Sequence, residues 1–541
     1  MDSLQSLWFL PFLLYAETHY RFKYFFSILR KSEPEIIADA PHRLEPGPRL
    51  PILIIIKDAH LFPCTLEQVT TELRKDGEPL ARKEHLATPL TLGEKFKSSA
   101  IPLDVSSWRG WIEVDVTFSV NVGGVTKEYH NDNHRFSSRA PLRVFLASDP
   151  LPRFANLYLG DPHVHSTYTD DQVEFGSPLS ETRELARAMG LSFFCVTDHS
   201  YDLDDCLDSY LENDPGVPKW KMLQSEVDIL NRTSSDCIVV RGEEVSCLNS
   251  VGKNVHLLMF GQREFIHGSG DGAEWWFRTK SEFTIPQALA LRSEGGATYA
   301  AHPMESVPFL QRLLLGRGEW SDEDLCHEGL SGVQIMNGKL DEGFIRGLRS
   351  WTRHLLNGDR LHALAGNDAH GNFNRFRQIG VPFLALREAA VHVFGKMRTG
   401  LFVDGGLTEQ SVQGALSQGR SILTDGPIAR LAITSHSDSR SHESNANGPW
   451  EAEIEIRSTA EFGRIASVRL IVGKVGNPTE QIAYEQEGVN RFDFQIQVVI
   501  KAVSADYARV EVHTREENSS DGLSHFCFTN PAWFRNGSTK I

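Results

Sequence analysis

The sequence predicts an α/β protein in three parts, a central parallel-sheet unit of repeated strand and helix segments with a β-sandwich-like unit on either side. Three observations predict it. Residues 32–150 and the stretch after 426 read as short strands broken by Pro, Gly and Asp clusters. Between them, short apolar runs alternate with amphipathic stretches, the grammar of a parallel sheet, closed as a barrel or doubly wound. His, Asp and Glu recur where those apolar runs end. The expected boundaries are 1–150, 151–425 and 426–541, and a chain of 541 residues with 40% hydrophobic content exceeds what one core normally supports.

In the first part, LPILIIIKDA, GWIEVDVTFSV, KEYH and APLRVFLA are the strand candidates, and residues 111–119 (WIEVDVTFS) alternate with the period of a half-buried antiparallel strand. The central part opens on FANLYLGD. A helix with Ser180 as N-cap, Leu185 and Met189 on one face and Gly190 as its stop then precedes LSFFCVTDHS. DCIVVRGEE, NVHLLMFG, ATYAAHP, GVQIMNG and LHALAGNDAHG continue the series, with helices expected over 286–293, 344–356 and 408–416. After SILTDGP the chain returns to strands: IARLAITS, WEAEIEIRS, SVRLIVG, RFDFQIQVVI and YARVEVHTRE. Residues 435–448 (SHSDSRSHESNANG) are polar and read as a loop.

The balance of 55 basic against 71 acidic residues gives −16, which argues against a protein that tracks a phosphate backbone by bulk charge, so no nucleic-acid partner is expected. The seven cysteines are scattered with no C-x-x-C, which suits a reducing compartment; the cytoplasm is expected. Residues 7–15 (LWFLPFLLY) are too short to span a bilayer, follow an acidic residue and contain Pro11, so neither a membrane span nor a signal peptide is expected. The aromatic run 20–29 is expected to pack on the body of the protein.

His163 and His165 follow FANLYLGD, His199 follows LSFFCVTD, Glu244 ends DCIVVRGEE, His256 lies inside NVHLLMFG, His302 follows ATYAA, and Asp368 with His370 follows LHALAGN. In a parallel barrel all such strand ends open on one face, so residues two hundred positions apart converge. Mixed imidazole and carboxylate donors suit zinc, manganese or iron. One four-coordinate ion would leave most of these donors unused, so two or three divalent ions per chain are expected, with Glu244 able to bridge two of them. A lone histidine is more often a packed or surface residue, a reading that weighs most on His256. An H-x-H pair directly after a strand has little structural use. Asp170 competes with Asp171 and Glu243 with Glu244 for the ligand role, while Asp198 is expected to orient an imidazole or a water and is the candidate catalytic residue. His267, His327, His354 and His362 lack strand-end placement and read as packing or surface residues.

The ordered blocks DPHVHSTYTDD, VTDHS, GEEVS, NVHLLMFG, AAHP and GNDAHG resemble the metal-binding motifs of the polymerase-and-histidinol-phosphatase (PHP) superfamily. The resemblance covers residues 156–375. It implies a distorted (β/α)7 TIM-like PHP barrel whose metal ligands here are His163, His165, Asp170, His199, Glu244, His256, His302, Asp368 and His370. One departure is that TDD stands where the family has S-D-G. The blocks VQIMNG, ALSQGRSILTDGP and FCFTNPAWF are similar to the carbaryl-hydrolase-like (CehA/McbA) branch, whose members carry β-domains around the barrel.

The expected function is a metal-dependent hydrolase, a phosphoesterase using a hydroxide activated by a di- or trinuclear centre on a small-molecule phosphate ester. Lys253, Arg375 and Arg377 are candidate contacts for the substrate's non-bridging oxygens. The alternative is a carbamate, ester or amide hydrolase with an apolar wall from Trp275, Trp276 and Phe277. A second alternative is a metal-binding scaffold without chemistry, which eroded ligands would signal. The absence of a P-loop Lys-Ser/Thr and of a G-x-S-x-G elbow removes two rival chemistries.

Overall fold

In a computed structural model, the structure describes residues 32–541 apart from 87, 135–136, 171–174, 271–278, 375–390, 436–448, 501–504, 516–524, 535–538 and 541. Segments 7–15 and 20–29, Asp171, Trp275, Trp276, Phe277, Arg375, Arg377 and almost all of the polar loop 435–448 lie outside the described residues. Among the described residues no helix is long and apolar enough to cross a membrane.

The architecture is mixed α/β and mostly sheet, with several sheets. The first part holds a three-stranded sheet (Glu35–Asp39, Arg49–Lys57, Phe96–Asp104) and a larger sheet around Gly110–Val122 and Cys64–Lys75. In Gly110–Val122 the expected alternation appears as burial of Ile112, Val114, Val116, Phe118 and Val120. Those side chains share a core with Ile52, Ile54 and Ile56 of the smaller sheet, whose opposite face buries Leu53 and Ile55 against the central part.

Seven of the strands described in the central part lie side by side: β1 (Leu157–His165), β2 (Phe193–Val196), β3 (Ile238–Leu248), β4 (Asn254–Phe260), β5 (Ala297–Ala300), β6 (Gly332–Asn337) and β7 (His362–Gly366). Neighbours pair in that order. Just past β7, Ala369 and His370 run parallel to Val164 and His165 of β1, so the path of strands returns to its start. The sheet is not all parallel, as the strand–helix repeats predict. β4 runs antiparallel to β3, since the turn at 249–253 is far too short for a crossover, and it is antiparallel to β5 as well.

The longer helices are α1 (Leu179–Ala188), which lies against strands Arg49–Lys57 and Phe96–Asp104 of the first part, and α2 (Pro218–Thr233) and α3 (Glu342–Asn357), which pack on β3 and β6. α1 begins after Pro178 rather than at a Ser180 cap. α3 ends where Gly358 takes the left-handed conformation at φ 95°, which only glycine adopts cheaply. The expected helix over 286–293 is shorter, at Ile285–Ala290, and the last one is Glu409–Ser417, capped by Thr408. α2 is an element the sequence reading passes over, although Trp220, Leu223, Val227 and Leu230 form its buried stripe.

β1 also pairs antiparallel with Arg398–Phe402, which pairs with Ser421–Thr424 and through it with Phe526–Thr529. The central sheet is thereby continuous with C-terminal strands. Arg43 ties all three stretches of chain together: its buried guanidinium donates to Glu461, to Glu45 and to the Met189 carbonyl. Arg43→Ala leaves two carboxylates without their partner, and equilibrium unfolding is expected to show a loss of about 3 kcal/mol.

Burial pushes the imidazole of His42 down to about 3 and that of His362 down to about 4, and the Nδ1 of each lacks a hydrogen-bond partner. The folded protein therefore binds fewer protons than the unfolded chain below the ordinary value of 6.5. This stability is present above pH 6.5 and is lost as the pH falls toward about 4 and then about 3. Melting temperature measured over that window is expected to decline on acidification.

Candidate metal centre

The C-terminal end of β1 carries His163 and His165 into the interior of the strand ring, both without solvent exposure. Glu244 on β3 lies between them and the other donors. Its Oε2 is 3.0 Å from His163 Nε2, 3.2 Å from His165 Nε2 and 3.3 Å from His199 Nδ1. On the other side His256 Nδ1 approaches Oε1 to 2.6 Å and His302 Nε2 to 3.4 Å. Asp368 Oδ1 closes the first group, 3.3 Å from His163 Nε2 and 3.1 Å from His165 Nε2. His370 stacks on His165 with ring centroids 4.0 Å apart.

Three overlapping sets of converging donors result: His163, His165, Glu244 and Asp368; His199, Glu244 and His256; and His165, His199 and His370. Glu244 belongs to two of them. So many lone pairs aimed at one buried space is a costly arrangement for a protein core without a cation. His199 Nδ1 and His302 Nε2 are buried without a hydrogen bond. The donor chemistry, imidazole with shared carboxylate, fits divalent transition ions.

The carboxylates of the cluster stabilise positive charge in this buried space. Burial disfavours a charged His165, yet Asp368 and Glu244 outweigh it and hold the imidazole's pKa well above its ordinary value. Burial disfavours ionised Glu244 too, but His163, His256 and His199 keep it well below the carboxylate range. Each group is held in a charged state by its neighbours.

Backbone strain marks two of the donors. His302 has φ 31° and Asp368 φ 53°, a region that non-glycine residues enter at a cost of roughly 1–3 kcal/mol. Gly366 is required for a different reason, because a Cβ there would stand 2.9 Å from His163 Cβ.

The structure brings together eight of the sequence-derived candidates, His163, His165, His199, Glu244, His256, His302, Asp368 and His370. Asp170 stands apart from them. Its carboxylate is clamped by Lys57 and by Lys95 Nζ at 3.0 Å, both from the first part of the chain. Burial would raise its pKa, but Lys57 and then Lys95 hold it well below the usual range. Asp170→Asn is expected to leave the bound-metal count unchanged and to lower the melting temperature; loss of an ion per chain would return Asp170 to the ligand set.

Glu243 separates from Glu244 by the two-residue period of the strand, which points neighbours to opposite faces. Its carboxyl accepts from Ser200 Oγ at 2.8 Å and Ile266 N at 3.2 Å, and burial pushes its pKa well up. Asp198 does not face an imidazole. Its carboxylate accepts from Ser166 N (2.7 Å), Ser166 Oγ (2.6 Å), Thr169 N (3.2 Å) and Thr169 Oγ1 (2.9 Å), so it fastens the loop that follows His165.

Several contributors escape the sequence reading. Gln334 on β6 accepts from His163 Nδ1 at 2.8 Å, which leaves Nε2 to face the donor cluster. Asp161 is fully buried and takes bonds from Asn367 Nδ2 (2.7 Å) and Gly395 N (2.9 Å), fixing the strand end that bears Asp368; burial raises it to about 6. Arg317 Nη2 lies 3.2 Å from His256 Nδ1. Arg317 lies in no motif block, and Gln334 lies inside VQIMNG, where nothing marks it as a partner of His163. Asp161 had a signal, since it opens the DPHVHSTYTDD block two residues before His163.

The centre opens into a cleft of about 200 Å³ bounded by His256, His302, Asp368, Ser306, Arg317 and His392 among others. Among its described lining residues Arg317 is the only lysine or arginine. Lys253, expected near the site, is exposed and does not line this cleft.

No protein-family model matches the chain, and no curated protein matches it. Among solved structures, the chain is similar to a two-domain protein from Bacteroides vulgatus ATCC 8482 described as containing a predicted PHP-like metal-dependent phosphoesterase. The two are 12% identical over 70% of this chain and 98% of that one, with a TM-score of 0.34. A glycosyl hydrolase family 2 member from Bacteroides cellulosilyticus DSM 14838 is 10% identical over 94% of this chain and 62% of that one, at a TM-score of 0.16. A β-glucuronidase from Bacteroides uniformis is 8% identical over 92% and 60%, at 0.17.

Proposed function

We propose that the chain is a metal-dependent phosphoesterase acting on a small-molecule phosphate ester. The observation that carries this reading is the shared carboxylate of Glu244, approached by five imidazoles, with Asp368 and His370 beside them and a cleft lined by Arg317 next to the cluster. His163, His165, Glu244 and Asp368 would hold one divalent ion; His199 and His256, with the same glutamate, would hold another, and His302 and His370 complete the set. Bound there, zinc, manganese or iron ions would neutralise charge on the transferring phosphoryl group and acidify a water.

The protein's own contribution is placement. Gln334 fixes the tautomer of His163, Asp161 pins the Asp368 strand end, and Asp198 holds the loop after His165. Arg317 presents a fork of N–H donors suited to non-bridging phosphate oxygens. The strand ring is read as a distorted PHP barrel from the order of its motif blocks, with its carbaryl-hydrolase-like branch and the division at 150 and 425 resting on sequence alone. Seven free cysteines suit a cytoplasmic setting.

Metal-reconstituted protein is expected to hydrolyse p-nitrophenyl phosphate, and Arg317→Ala to raise KM about tenfold or more with a smaller change in kcat. Turnover of an aryl carbamate in place of every phosphate mono- and diester would overturn the phosphoesterase reading.

A further inference from the structure

The ends of β6 and β7 away from the Glu244 centre hold a second group of metal-binding side chains. Cys326 ends a short 3-10 turn (Asp324–Cys326) ahead of β6, His354 lies in the last turn of α3, and Asp359 follows the Gly358 cap ahead of β7. Asn337, Asp368 and His370 stand at the opposite ends of these strands, so the two groups are separated by the length of the sheet.

One ligand atom from each residue, Cys326 Sγ, a His354 ring nitrogen and an Asp359 carboxylate oxygen, falls within 4.8 Å of the others. His354 Nδ1 is 2.7 Å from Asp359 Oδ2 and 3.9 Å from Cys326 Sγ. Donors around a tetrahedral zinc stand roughly 3.5 Å apart, so small side-chain rotations reach that geometry. His354 is 2% exposed, and its Nε2 has no hydrogen bond. That nitrogen faces Asp322 Oδ1 at 3.6 Å, a carboxylate already held by Ser350 Oγ (3.0 Å) and Arg353 Nη2 (2.9 Å). Metal-ligating imidazoles commonly place a carboxylate behind the second nitrogen in this way.

A helix-capping role for His354 accounts for its contact with Asp359. Cys326 Sγ donates to Asp322 O at 3.2 Å, a bond within its own turn that holds the sulfur beside the same His354 nitrogen. The backbone fixes all three donors: Asp359 N donates to His354 O at 3.0 Å as part of the α3 cap, and Cys326 N donates to Glu323 O at 3.2 Å within its turn. Charge balances as well, because one thiolate and one carboxylate neutralise a dication, and the exposed side of Cys326 leaves a coordination position to water. Burial and the nearby Asp359 and Asp322 push the Cys326 thiol up, so proton release accompanies binding.

We propose that Cys326 Sγ, His354 Nδ1 and Asp359 Oδ2 form a second site for a zinc-class divalent ion, cross-linking the segment before β6 to the turn between α3 and β7. The site is independent of the hydrolytic centre, none of whose proposed ligands is a cysteine.

Cobalt(II) chloride titrated into metal-depleted full-length protein is expected to produce a near-ultraviolet thiolate-to-cobalt charge-transfer band with the intensity of one thiolate ligand per chain, complete once this site and the central cluster are both filled. Cys326→Ser, at an exposed position, is expected to abolish the band and lower the zinc content by one ion per chain, with hydrolytic activity unchanged. Asp359→Asn is expected to retain the band at a higher cobalt midpoint. A wild-type protein without the band, or a Cys326→Ser protein with the same band or zinc count, would overturn the proposal whatever the activity of the main centre.

Discussion

Glu244→Gln is expected to abolish hydrolysis and to strip the central cluster of its ions. Glu244 is fully buried and faces five imidazoles through its two oxygens, so the amide removes the one charge shared by two donor sets. Residues that only orient a metal ligand already cost about 10–100-fold when altered, and a bridging ligand exceeds that. The loss in kcat/KM should therefore be more than about 100-fold. The neighbouring Glu243→Gln is the control. Burial pushes the pKa of that carboxyl well up, against the bonds it accepts from Ser200 and Ile266, so the variant should lose some stability and keep its metal.

Asp198→Ala is expected to produce the second largest effect, on stability and activity together. Two backbone N–H groups and two hydroxyls from Ser166 and Thr169 lose their common acceptor in a fully buried position. Unsatisfied buried donors cost about 1–3 kcal/mol each, and with partial relaxation the total should be about 3 kcal/mol by denaturant titration. Thr169 Oγ1 is also 3.4 Å from His165 Nδ1, so the loop's loss of shape reaches a ligand. Activity should fall together with metal affinity, and excess metal should restore part of it. A drop in kcat at full metal occupancy, with the acid limb of the pH profile displaced, would instead give Asp198 a direct part in proton transfer.

Much of the centre was legible because strand ends gather side chains that are distant in sequence. His163, His165, His199, His302, Asp368 and His370 all obey that rule, and the structure brings them together. The rule could not say which of two adjacent acids faces inward. Strand alternation decides for Glu244, and two lysines from a distant segment decide for Asp170. No local pattern announces Lys57 or Lys95, since their partner is set by how the first sandwich meets the central sheet. Arg317 and Gln334 were invisible for the same reason.

In the fold, apolar runs gave the strands but not their directions. β4 reads like its neighbours in composition, and only the shortness of the 249–253 turn reveals the reversal. α2 was missed although its stripe is regular, because Met222 and Ile229 lie on its exposed face and blur the pattern. The C-terminal strands look like a separate sandwich in sequence. The ladder from Ser421–Thr424 to Phe526–Thr529 that joins them to the central sheet depends on a pairing across a hundred residues.

The most direct measurement is anomalous diffraction from crystals grown with manganese or zinc. Two or more peaks are expected within the cluster, one among His163, His165, Glu244 and Asp368 and one among His199, Glu244 and His256, with the Glu244 carboxylate between them. No peak in that cluster, or a single peak that leaves Glu244 without a metal contact, would contradict the account.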